Sequence, residues 1–179
     1  MSYTNKLCYG AILLVMAVVL PQGFHMVGLG PAFLPMHIPV YIAGLILGPF
    51  WGFWTGLLAP LLSFLLTGMP PLVPPVLIVM VVELPVIGLL SGYLIKKLNV
   101  FWTVFLAIIG GRLVFTAGVI LLADHMVSAG QTTWAFAVAT FVTTLPGLIL
   151  QIILIPVVYN LLNSHLCNLC HNENKETGT

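Results

Sequence analysis

Charge is what this chain has least of. Of its 179 residues, five are Lys or Arg and four are Asp or Glu, 5% in all, against about 25% in a soluble globular domain. That scarcity excludes a soluble globule. The formal net charge of +1 leaves no basic patch to neutralise phosphates, which excludes nucleic acid as a partner. Cysteine is scarce too. Cys8 opens an apolar segment while Cys167 and Cys170 lie near the C-terminus, so no disulfide framework is expected. There is no G-x-x-x-x-G-K-[ST], and the chain cannot itself bind ATP through a Walker loop. G-x-S-x-G and H-E-x-x-H are also missing. Nor does any polar stretch reach the length of a second, soluble domain.

What is there is apolar: 60% of residues are hydrophobic, in runs of roughly the 20 residues that cross a bilayer. The composition predicts an all-α integral membrane protein of one domain. No small-x-small cleavage site follows Lys6 and its apolar segment, so residues 7–27 read as a retained first helix. Residues 38–66 form one run that would be ~43 Å long, against a hydrocarbon core of ~30 Å. Gly48-Pro49 is its natural break, because Pro disfavours helix at the preceding residue. The resulting helices cover about 7–27, 37–48, 50–67, 76–95, 100–122 and 134–162, with a membrane domain over 1–165 and a polar tail over 166–179. Pro146 and Pro156 are expected to kink the last helix. Lys6, Lys96 and Lys97 should all be cytoplasmic. An even number of crossings between them satisfies that rule, which supports six transmembrane helices with both termini inside. The Pro- and Gly-rich loops 28–37 and 68–75, and the loop 123–133, then share the outer face.

The stretch from Phe33 to Pro71 organises the rest. It is apolar, yet carries Pro35, Pro39, Pro49, Pro60, Pro70 and Pro71. Broken backbone at membrane depth survives only where it is buried in protein or lines a cavity, so this stretch reads as the wall and lid of a cavity. Glu83 and Arg112 lie mid-helix, where an ionisable group is costly and marks function by default. Glu83 is 13 residues before Lys96 and Arg112 is 13 after Asn99, which places them at equal depth on adjacent antiparallel helices, facing each other. Two readings stand: a structural ion pair, or groups that reach a ligand. His25, Met36 and His37 flank the first outer loop, with Gln22 one turn before His25. A His at a helix end also serves merely to bond free backbone groups. Met69 and Trp134 offer soft and flat contacts to a ring, although aromatic residues at interfaces are often anchors. Gln151, deep in the last helix, needs a partner and is either structural or a ligand contact. Gly44, Gly48, Gly52 and Gly56 recur every four residues, a spacing that lets helices pack closely. Cys167 to His171 match C-x-x-C-H, the haem-attachment pattern, but on the side of the membrane where haem is not attached. A weak metal site or a solvated tail are the other readings.

The blocks Phe33-Leu-Pro-Met-His-Ile-Pro-Val40, Gly44 to Pro49, Leu65-Leu-Thr-Gly-Met-Pro-Pro-Leu72, Glu83-Leu84, Ser91-Gly-Tyr-Leu94, Gly111-Arg112 and Pro146-Gly-Leu-Ile-Leu-Gln151 together resemble the substrate-binding S components of energy-coupling factor (ECF) transporters. The resemblance covers about residues 7–160. It implies a subunit of the prokaryotic plasma membrane that captures a vitamin or related micronutrient from outside. It also implies association with a transmembrane coupling protein and two cytoplasmic ATPases, and toppling in the membrane to release substrate inwards. The missing Walker loop then follows, and no cofactor is expected. The family's ligand sits under the outer loops, pointing to the segments with His37, Met69, Glu83, Arg112 and Trp134. The family's Ala-x-x-x-Ala docking pair departs here: Leu13 stands four residues before Ala17 and Val15 four after Ala11. Gly10, Ala11 and Ala17 are left as the candidate small-residue docking face. Nickel and cobalt members carry an N-terminal Met-His arm, whereas this chain begins Met1-Ser2, which argues against a metal substrate. Pantothenate, a vitamin B6 form, a queuosine precursor and lipoate remain open. The alternative is a membrane-embedded enzyme using Glu83 with His25 or His37, which would need these groups within ~3 Å of a reacting atom. A purely structural subunit would have no use for the Pro-His-Met loops.

Overall fold

The computed structural model of the protein describes residues 3–26, 34–70, 76–122 and 133–176. Every regular element among them is helical. In chain order they are α1 (Tyr3–Met26), α2 (His37–Ile42), α3 (Pro49–Thr67), α4 (Val76–Leu94), α5 (Val100–Leu121) and α6 (Thr133–Glu176). α2 runs straight into a wider π-helical turn, Ala43–Leu47. Five helices are long and apolar enough to cross a bilayer, over Tyr3–Phe24, Pro49–Thr67, Val76–Leu94, Val100–Leu121 and Val138–Leu162. The unit His37–Leu47 is shorter, about 16 Å at 1.5 Å per residue. It is correspondingly enclosed: His37, Pro39, Val40, Tyr41, Ile42, Ala43, Gly44, Leu45 and Leu47 are all buried.

Side chains are distributed in the reverse of a soluble protein. Leu65, Leu66, Leu113, Leu121 and Ile153 stand exposed on the helix surfaces, while Thr55, Ser63, Glu83, Ser91, Thr103, Thr144 and Gln151 are buried. Lipid tails cost an exposed leucine nothing but give a polar group no partner, so polarity moves inward. The core lies where α2, α4, α5 and α6 meet, around Tyr41, Leu45, Ile87, Val104, Ala107, Ile108, Leu148 and Ile155. A second cluster joins α1, α2, α3 and α4 through Ala17, Met36, Val40, Ala59 and Leu84.

α4 is the central helix, with half of its span buried against about a fifth for α1. It meets the π-helical turn and α3 along a seam of glycines. A Cβ on Gly44 would strike Ser91 Oγ and the Gly88 carbonyl, and one on Gly52 would strike the same carbonyl. On Gly56 it would come to 2.6 Å of the Leu84 carbonyl. Backbone therefore rests on backbone, the geometry small-xxx-small spacing permits. Gly48 has another task. Its φ of 103 lies where L side chains rarely go, and Pro49 follows at the first position of α3, where its missing N–H costs nothing. The long apolar run is thus divided at the expected dipeptide.

Two boundaries differ from expectation. α1 begins at Tyr3 rather than near residue 7, with the Tyr3 ring 5.8 Å from that of Trp51. The polar tail expected over 166–179 instead continues α6 to Glu176. No Gly or Pro stands between Val157 and Glu176, and Leu162, Leu166 and Leu169 keep helical spacing, so the strongest stop signals are missing. Pro146 and Pro156 both lie inside this one helix. Lys6 and Lys96 line a common cleft with Gly48, Pro49, Trp51 and Gly92, which puts them at one end of the bundle. The Leu34–His37 turn and Met69 mark the opposite end.

Candidate functional site

The opposite end holds a cavity of about 320 Å³. Its mouth is shaped by proline. Leu34 sits at φ 48, a left-handed conformation costly for leucine. It precedes Pro35, and its carbonyl accepts the His37 N–H at 3.0 Å. The resulting turn points Met36 and His37 inward, at 4% and 1% exposure. Across the mouth the Thr67 hydroxyl donates to the Ser63 carbonyl at 2.7 Å and accepts from Gln22 Nε2 at 3.0 Å. This strap ties the end of α1 to the end of α3. Pro21 of α1, Ser63 of α3, and Met69 and Pro70 beyond it complete that side.

α4 supplies Val76, Met80 and Glu83, spaced i, i+4 and i+7 and hence on one face. α5 supplies Arg112 and Phe115, with the guanidinium 5.5 Å from the Phe115 ring centroid. Gly111 allows the approach: a Cβ there would meet Ile87 Cδ1 at 2.6 Å and lie 3.6 Å from Glu83 Oε1. α6 supplies Thr140, Thr143 and Thr144, again on one face. The Thr144 hydroxyl donates to the Thr140 carbonyl at 2.8 Å, and that of Thr143 donates to the same carbonyl at 3.1 Å.

The polar centre is Glu83, 2% exposed. His37 Nε2 and Arg112 Nη2 each stand 3.8 Å from its Oε1. That separation is too long for a hydrogen bond; between the Arg112 guanidinium and the carboxylate it still gives Coulomb attraction. Among the described residues, Glu83 Oε1, both ring nitrogens of His37 and Ser63 Oγ are buried without a hydrogen-bond partner in the protein. All three side chains line the cavity. Buried polar groups are ordinarily satisfied. Three unsatisfied ones around one cavity, walled otherwise by Met, Pro and Phe, have the form of a small-molecule site.

Of the residues singled out in the sequence, Met36, His37, Met69, Glu83 and Arg112 line this cavity together. Gln151 does not. It is fully buried, seven residues and about 10 Å along α6 from Thr144, near the core residues Leu148 and Ile155. The side chains of His25, Trp134, Cys167, Cys170 and His171 lie outside the described residues. The small-residue docking face on α1 needs correction. Gly10 packs on Trp51, whose ring would come within 3.1 Å of a Cβ there, and Ala17 is fully buried in the second core cluster. Of the three, only Ala11 faces outward. An α1 that is apolar on all sides gave no periodicity from which to read its inner face. Ser63, Met80, Phe115 and the three threonines were not singled out. Thr140-x-x-Thr143-Thr144, three hydroxyls on one face of an apolar helix, was the available signal.

Over residues 5–159 the sequence matches the family model described as ECF transporter, substrate-specific component. Comparison with curated proteins and with solved structures gave no match.

Proposed function

From the premise that the chain belongs to the family of substrate-specific components of ECF transporters, we propose that it captures a vitamin or cofactor precursor from outside the cell in the cavity around Glu83. On this reading it releases the solute inwards, driven by a transmembrane coupling protein and two cytoplasmic ATPases. The family alone makes it a multi-pass plasma-membrane transport subunit that works with an ECF module, and not an enzyme. The observation that carries the finer reading is the convergence of unpartnered, buried His37, Ser63 and Glu83 atoms on one cavity. A passive bundle would have no reason to bear the desolvation of these groups.

The reading has six membrane crossings, with α2 and its π-helical turn counted as one, sheltered by α1, α3 and α4. Both termini then face the cytoplasm. The shared cleft of Lys6 and Lys96 supports this, because positive residues stay inside. Of the eight residues proposed to bind substrate, Met36, His37, Met69, Glu83 and Arg112 are retained, and Ser63 and the α6 threonines join them. Native mass spectrometry of the full chain in mild detergent, purified from cells in rich medium, tests the reading. One retained small molecule is expected, weakened by Ser63→Ala and lost in Glu83→Ala. A wild-type protein that retains no solute and binds no added vitamin or precursor, or a solute held equally by both variants, would overturn it.

A further inference from the structure

The charge balance of the cavity wall restricts what the cavity can hold. We infer that the solute is an uncharged, compact ring compound whose edge presents a hydrogen-bond donor beside an acceptor, rather than a carboxylate or a phosphate. This deepens the transport reading above and rests on it.

Among the described lining residues Glu83 and Arg112 are the only charged ones, one of each sign, 3.8 Å apart. Their opposite charges cancel, so these two groups give the described part of the wall no excess of either sign. An anionic solute near this pair gains attraction from Arg112 and suffers repulsion from Glu83 at similar distance. Little is left to offset the desolvation of the ion in an apolar chamber. A cationic solute meets the mirror problem. A neutral solute meets neither, and leaves each ion the other as its counter-charge.

The unpartnered atoms specify the solute's edge. An ionised carboxylate only accepts and a guanidinium only donates. Glu83 Oε1, without a partner among the described residues, therefore needs a donor, and the Arg112 guanidinium beside it offers N–H groups to an acceptor; their 3.8 Å spacing sets the two a few bonds apart on the solute. A ring amide, a hydroxypyridine or an aminopyrimidine has such an edge. The Ser63 hydroxyl both donates and accepts, and with the two His37 ring nitrogens, likewise without a partner among the described residues, it fits a further hydroxyl or ring nitrogen. The remaining walls fit a flat body: Met36, Met69 and Met80 are soft and polarisable, Phe115 offers a ring, and Pro35 and Pro70 are stiff. Thioethers pack well on aromatic rings. A volume near 320 Å³ lies at the small end for ligand sites, as a compact solute requires.

The test uses the full chain in mild detergent and two matched pairs, nicotinamide with nicotinate and pyridoxine with its 5′-phosphate. Isothermal titration gives affinities, and denaturing extraction followed by mass spectrometry identifies any co-purified solute. The expected result is a co-purified solute uncharged at pH 7, or an uncharged pair member that binds at least 100-fold tighter than its charged counterpart. Glu83→Gln keeps the size and one acceptor but removes the anion that balances Arg112. It should cost the uncharged compound 10- to 100-fold while narrowing or reversing its advantage over the anion. A co-purified carboxylate or phosphate, or a charged member binding more tightly, overturns the solute class while the binding site stands. No retained solute and no binding by any of the four compounds overturns the capture reading itself, and the class with it.

Discussion

Glu83 shows how much a single buried anion can reveal. Its position in an otherwise apolar helix, and that of Arg112 in the next, were legible because both could be counted from the same short turn at Lys96–Asn99. The pair faces across α4 and α5 as that count requires, 3.8 Å apart. His37, at the same distance from the same carboxylate oxygen, was legible only as part of an unusual Pro-Met-His loop. Ser63 and the α6 threonines were harder to read, because a hydroxyl in a membrane helix can satisfy itself on the carbonyl three or four residues back. The Thr143 and Thr144 hydroxyls do so, whereas Ser63 Oγ does not. Ser63→Ala should therefore weaken solute binding by about 1 to 1.5 kcal/mol, roughly tenfold, with little change in melting temperature of the solute-free protein. Titration calorimetry and a thermal melt check the two halves. Gln151 predicts the opposite pattern. Both of its amide atoms are buried without a partner among the described residues, and it lies outside the cavity lining. Gln151→Met should raise stability by about 1 kcal/mol or more, since it removes an unmet polar burden at similar volume. Solute affinity should stay within twofold; a large loss of affinity would return Gln151 to the site.

At the scale of elements, the seam of α3 and the π-helical turn on α4 holds the cavity's floor and wall in register. The glycine spacing at 44, 52 and 56 announced one side of it. Its partner side, Gly88 and Gly92, was not recognised because close approach is a property of two surfaces. A Cβ at Gly88 would run into the backbone of Gly52, and neither helix can yield without parting from the other. Gly88→Ala should accordingly destabilise the protein by several kcal/mol, in the range of severe overpacking or beyond, and show as loss of the monodisperse peak in fluorescence-detected size-exclusion chromatography. Gly23→Ala is the matched control, since nothing lies within 4 Å of a Cβ there and alanine favours helix by about 1 kcal/mol. It should be neutral or stabilising in the same assay. Equal behaviour of the two would mean that α3 and α4 are not in backbone contact. The break at Gly48-Pro49 was legible through Pro chemistry. The π-helical turn before it has no composition signature, and the length of α6 was underestimated because polarity was taken as a stop, whereas polar residues can continue a helix.

At the scale of the whole molecule, function depends on which end faces out. The lysine rule gives the sign: Lys6 and Lys96 share a cleft at one end, and the cavity mouth with Met69 lies at the other. If positive residues stay inside, the mouth opens to the exterior, which an importer needs in order to capture solute. The counting of crossings alone could not have settled this, because the short α2 is both too short to span freely and too buried to ignore. Paired cysteine labelling decides the matter. In a background with Cys8, Cys167 and Cys170 changed to Ser, Met69→Cys should react with a membrane-impermeant maleimide in intact cells, since Met69 is 43% exposed. Lys97→Cys, in the turn after α4, should react only after permeabilisation. Excess solute should slow labelling at Met69→Cys and leave Lys97→Cys untouched, because only the first lines the cavity. The reverse pattern of accessibility would place the cavity toward the cytoplasm. The site could then still bind solute, but capture from outside would fail, and a resting state already turned inward would have to take its place.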